Sequence, residues 1–163
     1  MKYLKYLCLV IYIFITLVIF IKAFESAESS SESSDQVTDV IVGTIDGITP
    51  GDESITDKFR LEDIKLFIRK AFGHFGVFLL LGVFATVTYY FFIKRKLYGI
   101  IITILAGIIT SGLSELFQTI PEGRGPSFGD VLLNYLGYAI SMLVIGLILY
   151  IPWYKKAKEV GSI

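Results

Sequence analysis

The sequence predicts an all-α membrane protein with four transmembrane helices, and three observations carry that prediction. More than half of its 163 residues are hydrophobic, 54%, and the mean hydropathy of +0.69 is far above that of a soluble domain. Four apolar runs each approach the roughly 20 residues that cross a bilayer at about 1.5 Å per residue. Basic residues gather at the ends of those runs, as Lys94-Arg95-Lys96 and Lys155-Lys156.

The first run covers residues 6–24, after Lys2 and Lys5. No A-x-A-type cleavage site follows it, and Glu25 stands where a small residue would be wanted before Ala27. Residues 1–24 therefore read as an uncleaved N-terminal anchor rather than a signal peptide. Residues 25–55 open with "ESAESSSESSDQ". That stretch has almost no apolar residues to offset its ordering entropy, so it reads as a flexible, acidic and Ser-rich extracytoplasmic tether.

A helical membrane domain follows over residues 56–154. Across residues 56–72 the period places Leu61, Ile64, Ile68 and Phe72 on one helical face, as in a helix lying in the membrane interface. The second, third and fourth spans read as residues 71–93, 97–116 and 131–153. Residues 155–163 form a basic tail. Gly107 with Ser111, Ala106 with Thr110, and Gly137 with Ser141 are small-xxx-small pairs, and close helix packing accounts for them.

Orientation follows from the basic residues. With both termini cytoplasmic, the inside holds Lys2, Lys5, Lys94, Arg95, Lys96, Lys155, Lys156 and Lys158. The outside holds Lys22, Lys58, Arg60, Lys65, Arg69, Lys70 and Arg124, a margin of only eight to seven out of 15. Clustering decides: "KRK" fills one short turn and "KK" directly follows the last span. The expected topology is a multi-pass cell-membrane protein, N-in and C-in, with residues 117–130 outside. The formal net charge is zero and the charges are segregated, so nucleic acid is not an expected partner. The single cysteine, Cys8, lies in an apolar run and offers neither a disulfide nor a Cys-based metal site.

One connection stands apart. "SELFQTIPEGRGPSFGDVLLN" packs Glu115, Gln118, Glu122, Arg124, Ser127, Asp130 and Asn134 between two apolar runs. Ser111, Glu115 and Gln118 fall at i, i+4, i+7 on one face of span three. Asp130 and Asn134 share a face at the start of span four, and Ser127 three residues before Asp130 reads as a helix N-cap. Lys70 and His74, at i, i+4, open span two. Pro121 resists helix continuation and the flanking glycines permit a reversal over the helix ends. Taken singly, Gln118 and Glu122 read as solvated helix ends, and His74 reads equally as a packed side chain or as a chemical group. A charge costs about 2.5–3.5 kcal/mol at the bilayer centre and less near its edge. Together, two carboxylates, an imidazole, amides and cations converging from three helices at one membrane face point to a pocket.

These residues also carry a resemblance. "RKAFGHFGVFLLLG" (69–82) and "SELFQTIPEGRGPSFGDVLLNYLG" (114–137) resemble the two motifs of the VanZ-like family of bacterial membrane proteins. The first motif is an Arg-Lys pair, then His-Phe and an apolar helix. The second is Glu-x-x-Gln, a proline turn with Gly-Arg, then Asp-Val-x-x-Asn and a glycine. Three residues separate Lys70 from His74 where many members have two, and "GRGPSFGD" is longer than a minimal Gly-Arg-Ser-Asp turn. The resemblance covers roughly residues 60–153 and marks Lys70, His74, Glu115, Gln118, Arg124, Asp130 and Asn134 as signature positions. It implies a role in the envelope of a Gram-positive cell, in resistance to glycopeptide and lipoglycopeptide antibiotics of the teicoplanin type. It brings no settled reaction.

Three functions remain open on the sequence. The first is an envelope protein that engages a membrane lipid, a lipid-linked cell-wall precursor or a lipoglycopeptide at the outer leaflet. Arg124 and Lys70 would hold the anionic head group, and His74, Glu115, Gln118, Ser127, Asp130 and Asn134 would build the site. The second is an enzyme acting on a lipid-linked phosphate, with His74, Glu115 and Asp130 as candidate catalytic residues and Arg124 stabilising developing charge. The third is a structural or partner-binding membrane subunit whose charges lock the helix ends. A lipid-phosphatase pattern needs two histidines and only one exists; a serine protease built on Ser114 would need His74 from an earlier span. His74, Glu115 and Asp130 would be an allowed 1-His-2-carboxylate metal set, but neither a metal nor another cofactor is assigned.

Overall fold

The computed structural model describes residues 2–48, 54, 56 and 59–159. Every regular element among them is helical: α1 (Lys2–Ala23), α2 (Ala27–Ile48), α3 (Leu61–Ile68), a π-helical segment (Arg69–Gly76), α4 (Val77–Phe92), α5 (Lys96–Phe117) and α6 (Phe128–Glu159). Four helical stretches are long and apolar enough to cross a membrane: Tyr3–Ala23, Leu61–Phe92, Lys96–Phe117 and Phe128–Glu159. At most 33% of each stretch's most apolar window is buried within the protein. Large side chains such as Phe14, Leu105, Leu132 and Leu147 are exposed along the helices. A hydrocarbon environment, not a protein core, must cover them.

The centre of the bundle is small and tight. Ile19 of α1, Phe78, Leu81 and Ala85 of α4, and Tyr138 of α6 form its core. Helix α6 packs most extensively on α4, α1 lies along α4, and α5 closes the other flank. Glycines set the distances: a Cβ at Gly137 would overlap the Phe75 carbonyl, and one at Gly107 would enter the Tyr138 ring. The Tyr138 hydroxyl donates to the Thr103 carbonyl at 2.8 Å, satisfying its polar end inside the bundle. The small residues thus admit backbone and aromatic neighbours, as van der Waals association in a membrane requires.

The chain differs from the sequence-based expectation in three places. Residues 25–55, expected to be a flexible tether, contain the 22-residue helix α2, which packs against α3. Its second half carries Val37, Val40, Ile41, Val42, Ile45 and Ile48, apolar residues that the polar first half lacks, and Thr38 is its buried residue. Residues 49–53 and 55 of that stretch lie outside the described residues. The single apolar face across residues 56–72 is not kept: Ile68 is buried, whereas Leu61 and Phe72 are exposed. Leu61 opens α3 at the exposed start of the helix, and the π-segment, whose i→i+5 turns take up roughly one residue more than α-turns, turns Phe72 away from the face of Ile68. Residues 57 and 58 fall outside the described chain. Finally, the basic tail is not separate, because α6 runs on through Pro152 to Glu159 and carries Lys155, Lys156 and Lys158 in its last turns; residues 160–163 are not described.

The two ends of the bundle are chemically distinct. At one end Lys5 of α1 lies over the Phe92 ring, 5.1 Å from its centroid, and Tyr90 meets Tyr150 of α6 at 5.0 Å. The chain start, the 93–95 turn and the end of α6 therefore share that end. The close of α1, the π-segment, the close of α5 and the start of α6 share the other.

Candidate functional site

Glu115, in the last turn of α5, is 1% exposed and organises the second end. Its Oε1 accepts hydrogen bonds from Gln118 Nε2 at 2.9 Å and Asn134 Nδ2 at 3.3 Å. Its Oε2 accepts the Ser127 backbone N–H at 3.3 Å. His74 Nδ1 lies 3.6 Å from Oε1 and 3.1 Å from Asn134 Oδ1. A buried carboxylate is tolerable only with such a set of donors.

The directions of these bonds are fixed from outside. Arg124 can only donate, and its Nη2 reaches Gln118 Oε1 at 2.7 Å, so Gln118 turns its amide nitrogen to Glu115. Asn134 likewise turns Nδ2 to Glu115, so its Oδ1 faces His74, whose Nδ1 then carries the proton. Nε2 has no protein partner among the described residues. The π-segment presents the imidazole here, since His74 is buried at 9% exposure whereas its neighbour Gly73 is exposed.

Arg124 comes from the reversal after α5. Gly123 takes φ +74°, a left-handed conformation that suits glycine, and Ala27 N–H donates to the Glu122 carbonyl at 3.4 Å. Arg124 Nη1 donates to the carbonyls of Lys22 at 3.1 Å and Glu25 at 3.2 Å, where α1 ends. A cation at a helix C-terminus meets unsatisfied carbonyls and the negative end of the dipole. Burial, and after it the nearby positive charge of Arg69, lower the Arg124 guanidinium below its ordinary pKa.

Of the residues singled out in the sequence, His74, Glu115, Gln118, Arg124, Ser127 and Asn134 form this one network. Ser127 also caps α6, its Oγ accepting the Asp130 N–H at 3.2 Å. Asp130 does not join His74 and Glu115: it pairs with Lys70 at 3.4 Å on the partly exposed flank. Arg124 folds back, but to an amide and to backbone carbonyls rather than to a carboxylate. No group of three His, Cys, Asp or Glu side chains among the described residues is placed to hold a metal.

Beside the network lies a cavity of about 360 Å³. Its polar wall includes His74, Gln118, Arg124 and Asn134; its apolar wall includes Val18 and Ile19 of α1 and Val77 and Phe78 of α4. Further polar residues on the lining were not among the site residues expected from the sequence: Lys22, Glu25, Arg69 and the α2 serines Ser30, Ser33 and Ser34. Ser30, Ser33, Ser34 and Val37 all line the cavity at i, i+3, i+4, i+7, the spacing of one helix face. That period is present in the sequence but submerged in a serine run.

No curated protein and no solved structure matches the chain. A family match, to VanZ/LLP1, extends over residues 6–150. It reaches back beyond the two motifs to take in α1 and α2, the elements that complete the cavity. Covering most of the 163 residues, it establishes that the chain belongs to the VanZ/LLP1 family.

Proposed function

We propose that this VanZ-family membrane protein engages an amphiphile with an anionic head group at the outer leaflet. The ligand class is a membrane lipid, a lipid-linked cell-wall precursor or a lipid-tailed glycopeptide, and engagement lowers sensitivity to teicoplanin-type antibiotics. The observation that carries the reading is the cavity itself, which sets Arg124 and His74 on a polar wall against aliphatic side chains of two spans. Such a two-faced concavity suits a ligand with a charged head and a hydrocarbon tail. The outer siting rests on "KRK" and "KK", which assign the opposite end, with both termini, to the cytoplasm.

Expression in a susceptible Gram-positive host is expected to reduce sensitivity to a lipid-tailed glycopeptide more than to one without a tail. His74→Ala and Arg124→Ala proteins, compared at matched membrane abundance, are expected to lose that protection. Full protection by both would sink the head-group reading and favour a structural subunit.

One observation supports an enzymatic second reading. His74 Nδ1 is held by Asn134 and Glu115, so an unpartnered Nε2 is left as a proton acceptor on a residue that lines the cavity. Release of inorganic phosphate from a lipid-linked phosphate by the wild-type protein, abolished in His74→Gln, would favour it.

A further inference from the structure

The cations lining the cavity exceed what the polar network consumes. Arg124 spends Nη1 and Nη2 on two carbonyls and an amide, and its Nε is buried without a hydrogen-bond partner. Arg69 stands exposed at the rim. Among the described residues no carboxylate lies within 4.0 Å of either guanidinium; the ion pairs formed are those of Lys22, Lys65, Lys70 and His74. Lys22 is already matched by Glu25 at 2.7 Å. Lys22, Arg69 and Arg124 against Glu25 leave the lining at three minus one, or +2. Arg124 is repelled by Arg69 and attracted by Glu115 and Glu25, neither of whose carboxylates pairs with it, and an anion between the two guanidiniums would relieve the repulsion. On α2, the hydroxyls of Ser30 and Ser33 face no protein partner among the described residues, whereas Ser34 donates to the Ser30 carbonyl.

We propose that the cavity takes the terminal phosphate of a lipid, a phosphomonoester or diphosphate head group, clamped between Arg69 and Arg124 and met by Ser30 and Ser33 of α2. This rests on the amphiphile reading and narrows it. A terminal phosphate carries about −1.5 to −2 charges at neutral pH and three strong acceptor oxygens. That matches two guanidiniums with no carboxylate in direct contact and two hydroxyls with no protein partner among the described residues. A phosphodiester brings one charge and two non-bridging oxygens, and would leave one guanidinium uncompensated. A carboxylate has the same shortfall. Arginine, with its planar fork, is the side chain suited to gripping phosphate oxygens. The aliphatic wall of Val18, Ile19, Val77 and Phe78 gives the lipid chain its path and distinguishes a lipid phosphate from the free anion.

The test uses the full-length protein in phosphatidylcholine nanodiscs doped with phosphatidic acid or, at equal mole fraction, phosphatidylglycerol, with retained lipid counted by native mass spectrometry. Phosphatidic acid is expected to be retained about tenfold more than phosphatidylglycerol, one decade of affinity. Arg69→Gln, at an exposed rim position, is expected to cut that preference to about threefold or less, with an unchanged melting temperature. Equal retention of the two anionic lipids, both above phosphatidylcholine, would overturn the terminal-phosphate assignment while leaving the amphiphile reading intact. Retention no better than phosphatidylcholine would overturn both. Full preference in folded Arg69→Gln would remove the clamp. Displacement of phosphatidic acid by an equal concentration of inorganic phosphate would reassign the site to the free anion.

Discussion

The two loops that flank α5 answer the same problem in opposite ways. At residues 93–95 the chain reverses in a short basic turn. Lys96 donates to the Tyr90 carbonyl and lies over the Tyr90 ring, while Arg95 lies 5.7 Å from the centroid of Tyr98. The cations spread along aromatic faces and stay near water, which ends helices at little cost. The cavity at this end, about 480 Å³, is walled almost wholly by apolar side chains such as Ile100, Leu143 and Leu147. At residues 118–127 the chain instead buries a carboxylate, surrounds it with donors from three elements, and ties the loop back to the end of α1. Ending two helices requires none of this. The difference teaches that the second loop is built for more than a reversal: the network centred on Glu115 shares His74, Gln118, Arg124 and Asn134 with the wall of the cavity.

The largest expected effect breaks the framework. Glu115→Ala removes the acceptor shared by Gln118, Asn134 and the Ser127 N–H, and leaves His74 beside an empty volume. Each buried donor left without its acceptor costs about 1–3 kcal/mol. Thermal unfolding in detergent should therefore drop markedly, and Glu115→Gln should fall part of the way, because its amide sets a donor against donors. A change in Glu115→Ala no larger than that of a surface substitution would mean that the network is ornament to the fold.

How much of this was legible in the sequence depends on the kind of signal each part leaves. The spans were legible because bilayer thickness imposes length and apolarity, and both are read by counting. The network residues were legible because polar side chains beside apolar runs are conspicuous. Their pairing was only half legible: Asp130 and His74 each share a helix face with their motif partners, yet Asp130 turns to Lys70. The π-segment was hidden, since nothing in "RKAFGHFG" distinguishes an i→i+5 turn from an i→i+4 turn. Helix α2 was hidden because serine carries little hydrophobic signal, so the face formed by Ser30, Ser33, Ser34 and Val37 dissolved into the run. The carbonyls of Lys22 and Glu25 as partners of Arg124 leave no mark on sequence at all.

An intermediate effect sharpens the boundary between frame and ligand wall. Arg124 belongs to both, because it ties Gln118 and the end of α1 while its Nε remains uncommitted. Arg124→Ala should cost about 1–2 kcal/mol, the scale of charge-assisted bonds at a partly exposed position. Arg124→Lys should recover charge but not the fork, holding at most part of the three acceptors. Restoration of stability by lysine without restoration of antibiotic protection would separate the two roles. If lysine restores both fully, a point charge suffices and the bidentate grip is unnecessary.

The smallest effect on stability concerns the exposed tips of the two loops, and it tests which side of the membrane each occupies. Arg95 and Gly125 are both exposed, and a Cβ at Gly125 would meet nothing within 4 Å. Substituting either by cysteine should shift stability by no more than about 0.5 kcal/mol, since Arg95, the N-cap of α5, makes no side-chain capping bond and Gly125 has no positive φ. Cys8, the one native thiol, is buried in α1 and can be replaced by alanine to clear the background. In intact cells an impermeant thiol reagent should then label Gly125→Cys, and should label Arg95→Cys only after the cells are opened. The contrast is what the positive-inside tendency predicts for a turn in which Lys94, Arg95 and Lys96 lie close to the span ends and so bias insertion. Labelling of Arg95→Cys from outside would invert the molecule. The cavity would then face the cytoplasm, where no lipid-tailed antibiotic arriving at the outer leaflet could reach it, and the proposed function would fall with the topology.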